Sequence, residues 1–142
     1  MARHVDIPSD WLDEPLQSLV ERIADETPAP GGGSTAAIVL SMAAALVEMA
    51  ARFSRDWDGA GPAAERARTL REHTLPLAER DAAGYEPVLA AARQPERGAE
   101  LRAALTDASV VPLELAQAGA EVAELGAIVA ASGNRNLRGD AA

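Results

Sequence analysis

The sequence predicts an all-α protein, an antiparallel helical bundle built around one apolar central helix. Three observations lead there. Apolar residues recur every three or four positions along most of the 142-residue chain. No stretch carries the strict alternation of a half-buried strand. Residues 35–51 are apolar nearly all round, the pattern of a helix with neighbours on every side. Trp11, Phe53, Trp57 and Tyr85 are the only aromatic residues. The core must therefore be aliphatic and alanine-based, with helices approaching closely.

The elements follow in order. Residues 1–12 read as a loose lead-in to a single domain over 13–142. Asp13 is placed to cap a first helix with Pro15 in its first turn. Leu16, Leu19, Val20, Ile23 and Ala24 give that helix one apolar face. The second, central helix is predicted from Ser34 to Phe53. Ser54 to Pro62 is a turn carrying two glycines. A third helical stretch covers Pro62 to Arg93. Its inner stripe is Ala63, Ala67, Leu70, Thr74, Leu77, Asp81, Gly84, Val88 and Ala91, and Pro76 and Pro87 are expected to kink or interrupt it. A fourth stretch runs from Glu96 to Ser132, broken or bent at Pro112. Leu101, Leu105, Ala108, Leu115, Val122, Leu125 and Val129 mark its inner face. Gly133 is placed to end it, and Asp140 is a possible cap for a further helix.

Bulk properties narrow the function classes. There is no cysteine, which excludes disulfides and thiolate metal sites. The formal charge is −9, and the basic residues are all arginine. That balance disfavours nucleic acid and anionic membrane as partners. The apolar run at 35–51 is short for a membrane span and carries Glu48, which favours a buried central helix. No basic segment followed by an apolar one opens the chain, so a cytoplasmic location is expected. His4 and His73 are far apart and make no recognisable metal site.

The most informative stretch is Thr27-Pro28-Ala29-Pro30-Gly31-Gly32-Gly33-Ser34-Thr35, leading straight into the central helix. The prolines hold the approach extended. The glycines let another group come against bare backbone. Ser34 is expected to offer its oxygen to the first free N–H groups of the helix. Such an end suits a carboxylate or a polarised carbonyl. The same loop also serves if two helices simply need to pack closely. Its spacing fits neither nucleotide-binding glycine pattern.

Asp81 is the leading candidate for chemistry. It occupies a slot in an apolar stripe, where a carboxylate is costly unless hydrogen-bonded, paired or wanted for proton transfer. An edge position reaching water or Arg80 is the other reading. Tyr85, one turn on, can bond Asp81, stack on a ligand or sit at a core rim. Asn134, Asn136 and Asp140 lie beyond a helix end, as turn and cap residues do. Asn134 is a candidate for the left-handed conformation that ends the helix. Glu48 and Glu114 are expected to reach solvent beside apolar faces.

Together these segments resemble the cyclodeaminase/cyclohydrolase family of folate enzymes. The resemblance rests on PAPGGGS followed by AAIVLSMAAALVEMAARFS, then Asp81-Ala82-Ala83-Gly84-Tyr85, Val111-Pro112-Leu113-Glu114-Leu115-Ala116, and Gly133-Asn134-Arg135-Asn136 with Asp140. It spans about residues 13 to 142. It implies a tetrahydrofolate derivative as substrate, no metal or redox cofactor, and a homodimer. The implied reactions are hydrolysis of a methenyl bridge or cyclisation of a formimino group with loss of ammonia. It further implies Asp81 and Asp140 as catalytic residues. Pro30, Gly31, Gly32, Gly33, Ser34, Tyr85 and Asn134 would then be the substrate contacts. Arg135 and Arg138 read first as solvent-exposed charge, and as candidates for meeting a folate's glutamate tail.

Three features depart from the family pattern. Gly139 stands where serine commonly precedes the aspartate. Arg52, Phe53, Ser54, Arg55, Asp56 and Trp57 replace a lysine-rich segment. Family members normally continue into another long apolar helix. The alternative reading is a non-catalytic helical scaffold or oligomer subunit descended from the family, or an enzyme acting on a different heterocycle.

Overall fold

The computed structural model describes residues 11–94 and 98–142, and these contain helices and links but no strand. The helices are α1 (Leu16–Ala24), α2 (Gly32–Arg52), α3 (Ala60–Thr74), α4 (Leu77–Ala92), α5 (Ala99–Ala108), α6 (Val110–Ser132) and the single turn α7 (Arg138–Ala141). Short 3₁₀ turns at Trp11–Asp13 and Arg135–Leu137 precede α1 and α7. Residues 1–10 of the lead-in expected over 1–12, and the expected helix start at Glu96, lie outside the described residues.

α2 is the axis of the bundle and touches α3, α4, α6 and α7. At 1.5 Å per residue its length is roughly 30 Å. α3 runs antiparallel to it, with Ser41 donating to the Arg71 carbonyl at 3.3 Å. α3 is also antiparallel to α6, as the Arg66–Glu121 ion pair and the 3.7 Å approach of His73 to Glu114 require. α6 therefore runs the same way as α2, and Gly119 faces Leu40 across their contact.

Small side chains make this packing possible. Ala44, Ala50, Ala51, Ala63, Ala67 and Ala118 are buried together with Val47, Leu70, Val122 and Val129 around the C-terminal half of α2. A second cluster surrounds its N-terminal half: Ala37 and Ile38 meet Leu77, Ala78 and Ala82 of α4, Leu19 of α1, and Val111 and Leu115 of α6. Each apolar residue removed from water contributes about 25 cal/mol per Å². α2 holds both clusters together because it supplies residues to each.

Several boundaries differ from the sequence reading. α2 starts at Gly32, with Gly31 as its N-cap and no side-chain cap bond. Ser34 is thus inside the helix and turned away from the role of cap. Asp13 closes a 3₁₀ turn, and Pro15 takes the N-cap position of α1. The long third stretch is divided near Pro76, whereas Pro87 is carried within α4. The fourth is divided at Ser109, and Pro112 falls in the first turn of α6, where its missing N–H costs nothing. Gly133 does end α6, in extended backbone. No described residue has positive φ, so Asn134 is not left-handed. Asp140 lies within α7 instead of capping a helix.

Burial also differs. Leu105 is 49% exposed, and its neighbour Ala104 takes the inner position. Leu19 is the one buried residue of the expected α1 face, while Leu16 and Val20 stand exposed. Glu48 is buried, not solvated: Arg71 Nε donates to it at 2.9 Å, and Arg52 pairs with its other oxygen. On the outer face of α3, a hydrogen bond from Arg68, reinforced by its charge, holds the Glu65 carboxyl below the usual carboxylate range.

α2 keeps one face free. Val39, Met42, Leu46 and Phe53 are exposed, and Met49 is half-buried on the same line. Their spacing of three and four residues is that of a helix–helix seam. Among the described elements nothing covers this stripe.

Candidate functional site

The functional candidates fall at the two ends of α2. At the N-terminal end, Ala29 and Pro30 are buried and joined by a cis peptide bond. Thr27 donates its hydroxyl to the Ala29 carbonyl at 3.1 Å. Gly31 then places its carbonyl to accept from both the N–H and the hydroxyl of Thr35, at 2.9 and 2.8 Å. The N–H groups of the following first turn have no intrahelical acceptor, as at every helix start.

Asp81 of α4 comes against that first turn. A Cβ placed on Gly33 would overlap the Asp81 carboxyl group, so only glycine permits the approach. Ser34 is fully buried. Its Oγ lies 2.8 Å from the Ala78 carbonyl oxygen and 3.2 Å from Asp81 Oδ2. Asp81 itself is half-buried. A carboxyl group held here faces the positive end of a helix dipole and keeps access to solvent, which suits a group that exchanges protons. Tyr85 stands one turn further along α4, 47% exposed, and the described hydrogen bonds do not join it to Asp81.

The C-terminal end is built differently. Buried Ser54 donates to the Ala50 carbonyl at 2.7 Å and accepts from the Asn134 N–H at 2.8 Å. The Asn134 side chain donates to the Phe53 carbonyl at 3.4 Å and accepts from the Asn136 N–H at 3.0 Å. A Cβ on Gly133 would strike Ser54 Oγ, so a second glycine allows a second close approach. A groove of about 440 Å³ opens here, lined by Phe53, Arg55, Trp57, Asn134, Arg135 and Asn136. Asp140 is exposed on α7.

The structure thus brings Gly33 and Ser34, at the end of the Pro30 to Ser34 segment, against Asp81, with Tyr85 one turn further along α4. It places Asn134 at the far end of the same helix, roughly 30 Å away by helix length. Asp140 belongs to the C-terminal half too, since α7 packs its Ala141 carbonyl over Gly126 beside Val47. The single shared site expected from the sequence is not assembled within one chain. Two participants escaped the sequence reading. Ser54 carried a weak signal, a serine two residues past the end of an apolar helix. The Ala78 carbonyl carried none, because main-chain atoms leave no mark in a sequence.

The chain is thus an α-helical bundle whose central helix opens at glycines and carries a carboxyl group docked on its first turn. The profile of the formiminotransferase-cyclodeaminase family matches residues 15–142, and the chain belongs to that family. A methenyltetrahydrofolate cyclohydrolase of Methylorubrum extorquens is 29% identical, over 91% of this chain and 69% of that protein. The crystal structure of a formiminotetrahydrofolate cyclodeaminase from Thermotoga maritima superposes with a TM-score of 0.80 at 30% identity, covering 90% of this chain and 67% of that one.

Proposed function

We propose that the protein is a folate one-carbon enzyme in which Asp81 is the acid/base group. The observation that carries this reading is the docking of Asp81 on the first turn of α2, with Gly33 clearing its place. In methenyl hydrolysis, water adds to the one-carbon unit held between two nitrogens. One proton leaves the attacking water. A nitrogen gains one as its bond to carbon breaks, and the adduct's remaining hydroxyl proton leaves to solvent as the formyl group forms on the other nitrogen. A single half-buried carboxyl group can accept the first proton and return it in the second step. Formimino cyclisation with loss of ammonia makes the same demand on the group. The two relatives, one named for each reaction, support both versions. Hydrolysis of the methenyl bridge is the version to test first.

The working unit in this reading is a homodimer. The uncovered seam on α2 offers a second copy a continuous apolar line from Val39 to Phe53. A twofold axis near the middle of that line would set the Asp81 end of one copy beside the C-terminal end of its partner. Asn134 of the partner subunit would then complete the site for a pterin ring.

The experiment mixes purified protein with methenyltetrahydrofolate and follows loss of the methenyl absorbance, with a parallel ammonia assay on the formimino derivative. Turnover of the first supports cyclohydrolase activity, and ammonia release from the second supports cyclodeaminase activity. Neither reaction, and no binding of a reduced folate, would leave the scaffold reading as the better one.

A further inference from the structure

Ser34 has one hydroxyl proton and two oxygen neighbours. The Ala78 carbonyl oxygen is 2.8 Å from its Oγ, and Asp81 Oδ2 is 3.2 Å away. A hydroxyl donates to one acceptor at a time and can accept from a second group. Ser34 is 0% exposed, which leaves a small molecule no direct route to its oxygen. The Ala78 carbonyl can do no more than accept. The Asp81 carboxyl group accepts when ionised and donates when protonated.

Both proton states of Asp81 are therefore satisfied by rotation of one buried hydroxyl. We propose that Ser34 is a positioning residue with two hydrogen-bonding states, which lets Asp81 gain and lose a proton without moving. With Asp81 ionised, Ser34 O–H donates to Oδ2. With Asp81 protonated, the acid O–H donates to Ser34 Oγ, and the serine proton turns to the Ala78 carbonyl. No bond other than these hydrogen bonds changes. Gly33 completes the device: the carboxyl group fills the space where a Cβ would stand, so it is confined on that side as well.

The proposal rests on Asp81 as the acid/base group, and it replaces the expected role of Ser34 as a direct substrate contact. Among the described residues no charged side chain pairs with Asp81. The first turn of α2 holds no ionisable side chain. Arg80, next to Asp81 on α4, pairs with Glu114 of α6. Tyr85 is exposed, and Glu79 and Glu86 are separate positions on α4.

The test is independent of turnover, so it stands or falls separately from the folate reading. The carboxyl carbons of the labelled full chain are followed by NMR as pH is varied, in the parent protein and in Ser34→Ala. Alanine is smaller and a better helix former, and the Ala78 carbonyl keeps its own helical position. The charge-assisted bond to the carboxylate is stronger than the neutral bond it alternates with. Its loss in Ser34→Ala shifts the Asp81 titration upward, by more than any shift at Glu79 or Glu86. An unchanged Asp81 curve with a lowered Tm would mean that Ser34 only ties α2 to α4, and a downward shift would mean that it serves the protonated acid alone. Either result overturns the proposal. A second reading needs no variant: the Asp81 side-chain couplings stay constant through the titration of the parent chain. A rotamer change on ionisation would overturn the proposal equally.

Discussion

The two ends of α2 use the same device for different purposes. At each end a glycine admits a polar group that a Cβ would exclude, Asp81 at Gly33 and Ser54 at Gly133. At each end a buried serine joins α2 to another part of the bundle. The C-terminal end closes on itself. Ser54 donates to a carbonyl and accepts from an N–H, both with fixed roles, so the contact has one state. The N-terminal end stays open, because one of the two partners of Ser34 is a titratable carboxyl group with access to solvent. A joint made only from main-chain partners is rigid, whereas the proposed proton exchange needs a partner that can change charge.

The largest effect expected from breaking this contrast is at Asp81. Asp81→Asn keeps the shape and removes the exchangeable proton. Turnover should fall by about 10²-fold or more, with circular dichroism unchanged. Equal activity of the two proteins would rule out the acid/base role.

The seam between the two ends comes next. Leu46 is 46% exposed near the middle of the α2 stripe. Leu46→Glu would place two carboxylates close to the proposed twofold axis, where like charges cost several kcal/mol. The dissociation constant should rise by about a hundredfold, seen as a monomer in light scattering at micromolar concentration. If the parent chain is already monomeric and binds no apolar dye, the helices described here close the core unaided.

Gly133→Ala tests the closed end. The added methyl meets Ser54 Oγ and the Val129 carbonyl, two groups with little room to yield. The expected cost is about 1–3 kcal/mol in denaturant unfolding, with the Asp81 chemistry preserved where the dimer persists. A neutral result would show that the joint relaxes without loss.

The smallest effect sharpens the comparison within the glycine loop. A Cβ on Gly32 meets nothing within 4 Å. Gly32→Ala should therefore be neutral or stabilising by up to about 0.5–1 kcal/mol through the unfolded chain. Gly33→Ala, one residue on, should displace Asp81 and depress turnover. Identical behaviour of the two variants would remove the case for Gly33 as the residue that clears the carboxyl group's place.

Much of the architecture was legible in the residues. The all-round apolarity of 35–51 marks the central helix, because a helix with no polar face needs neighbours on every side. The stripe from Ala63 to Ala91 locates the helices that pack on it. Proline was a poorer guide to boundaries. Pro76 coincides with a break, yet Pro112 sits in a first turn and Pro87 is held inside α4. Tertiary packing holds a helix across a proline when its apolar face is needed on both sides. Glu48 followed the same logic: its burial depends on Arg71 from another helix, which periodicity cannot supply.

By itself the sequence determined the helical class, the position of α2, the conspicuous glycine loop and the placing of Asp81 on the stripe that faces α2. Each follows from local spacing or from one residue type standing against its surroundings. Only the tertiary structure decided which glycine matters, what Ser34 bonds, and that Asn134 lies a helix length away from Asp81. Those outcomes depend on contacts between positions 44 to 80 residues apart. Such contacts are set by how helices cross and by main-chain carbonyls that no side-chain pattern records.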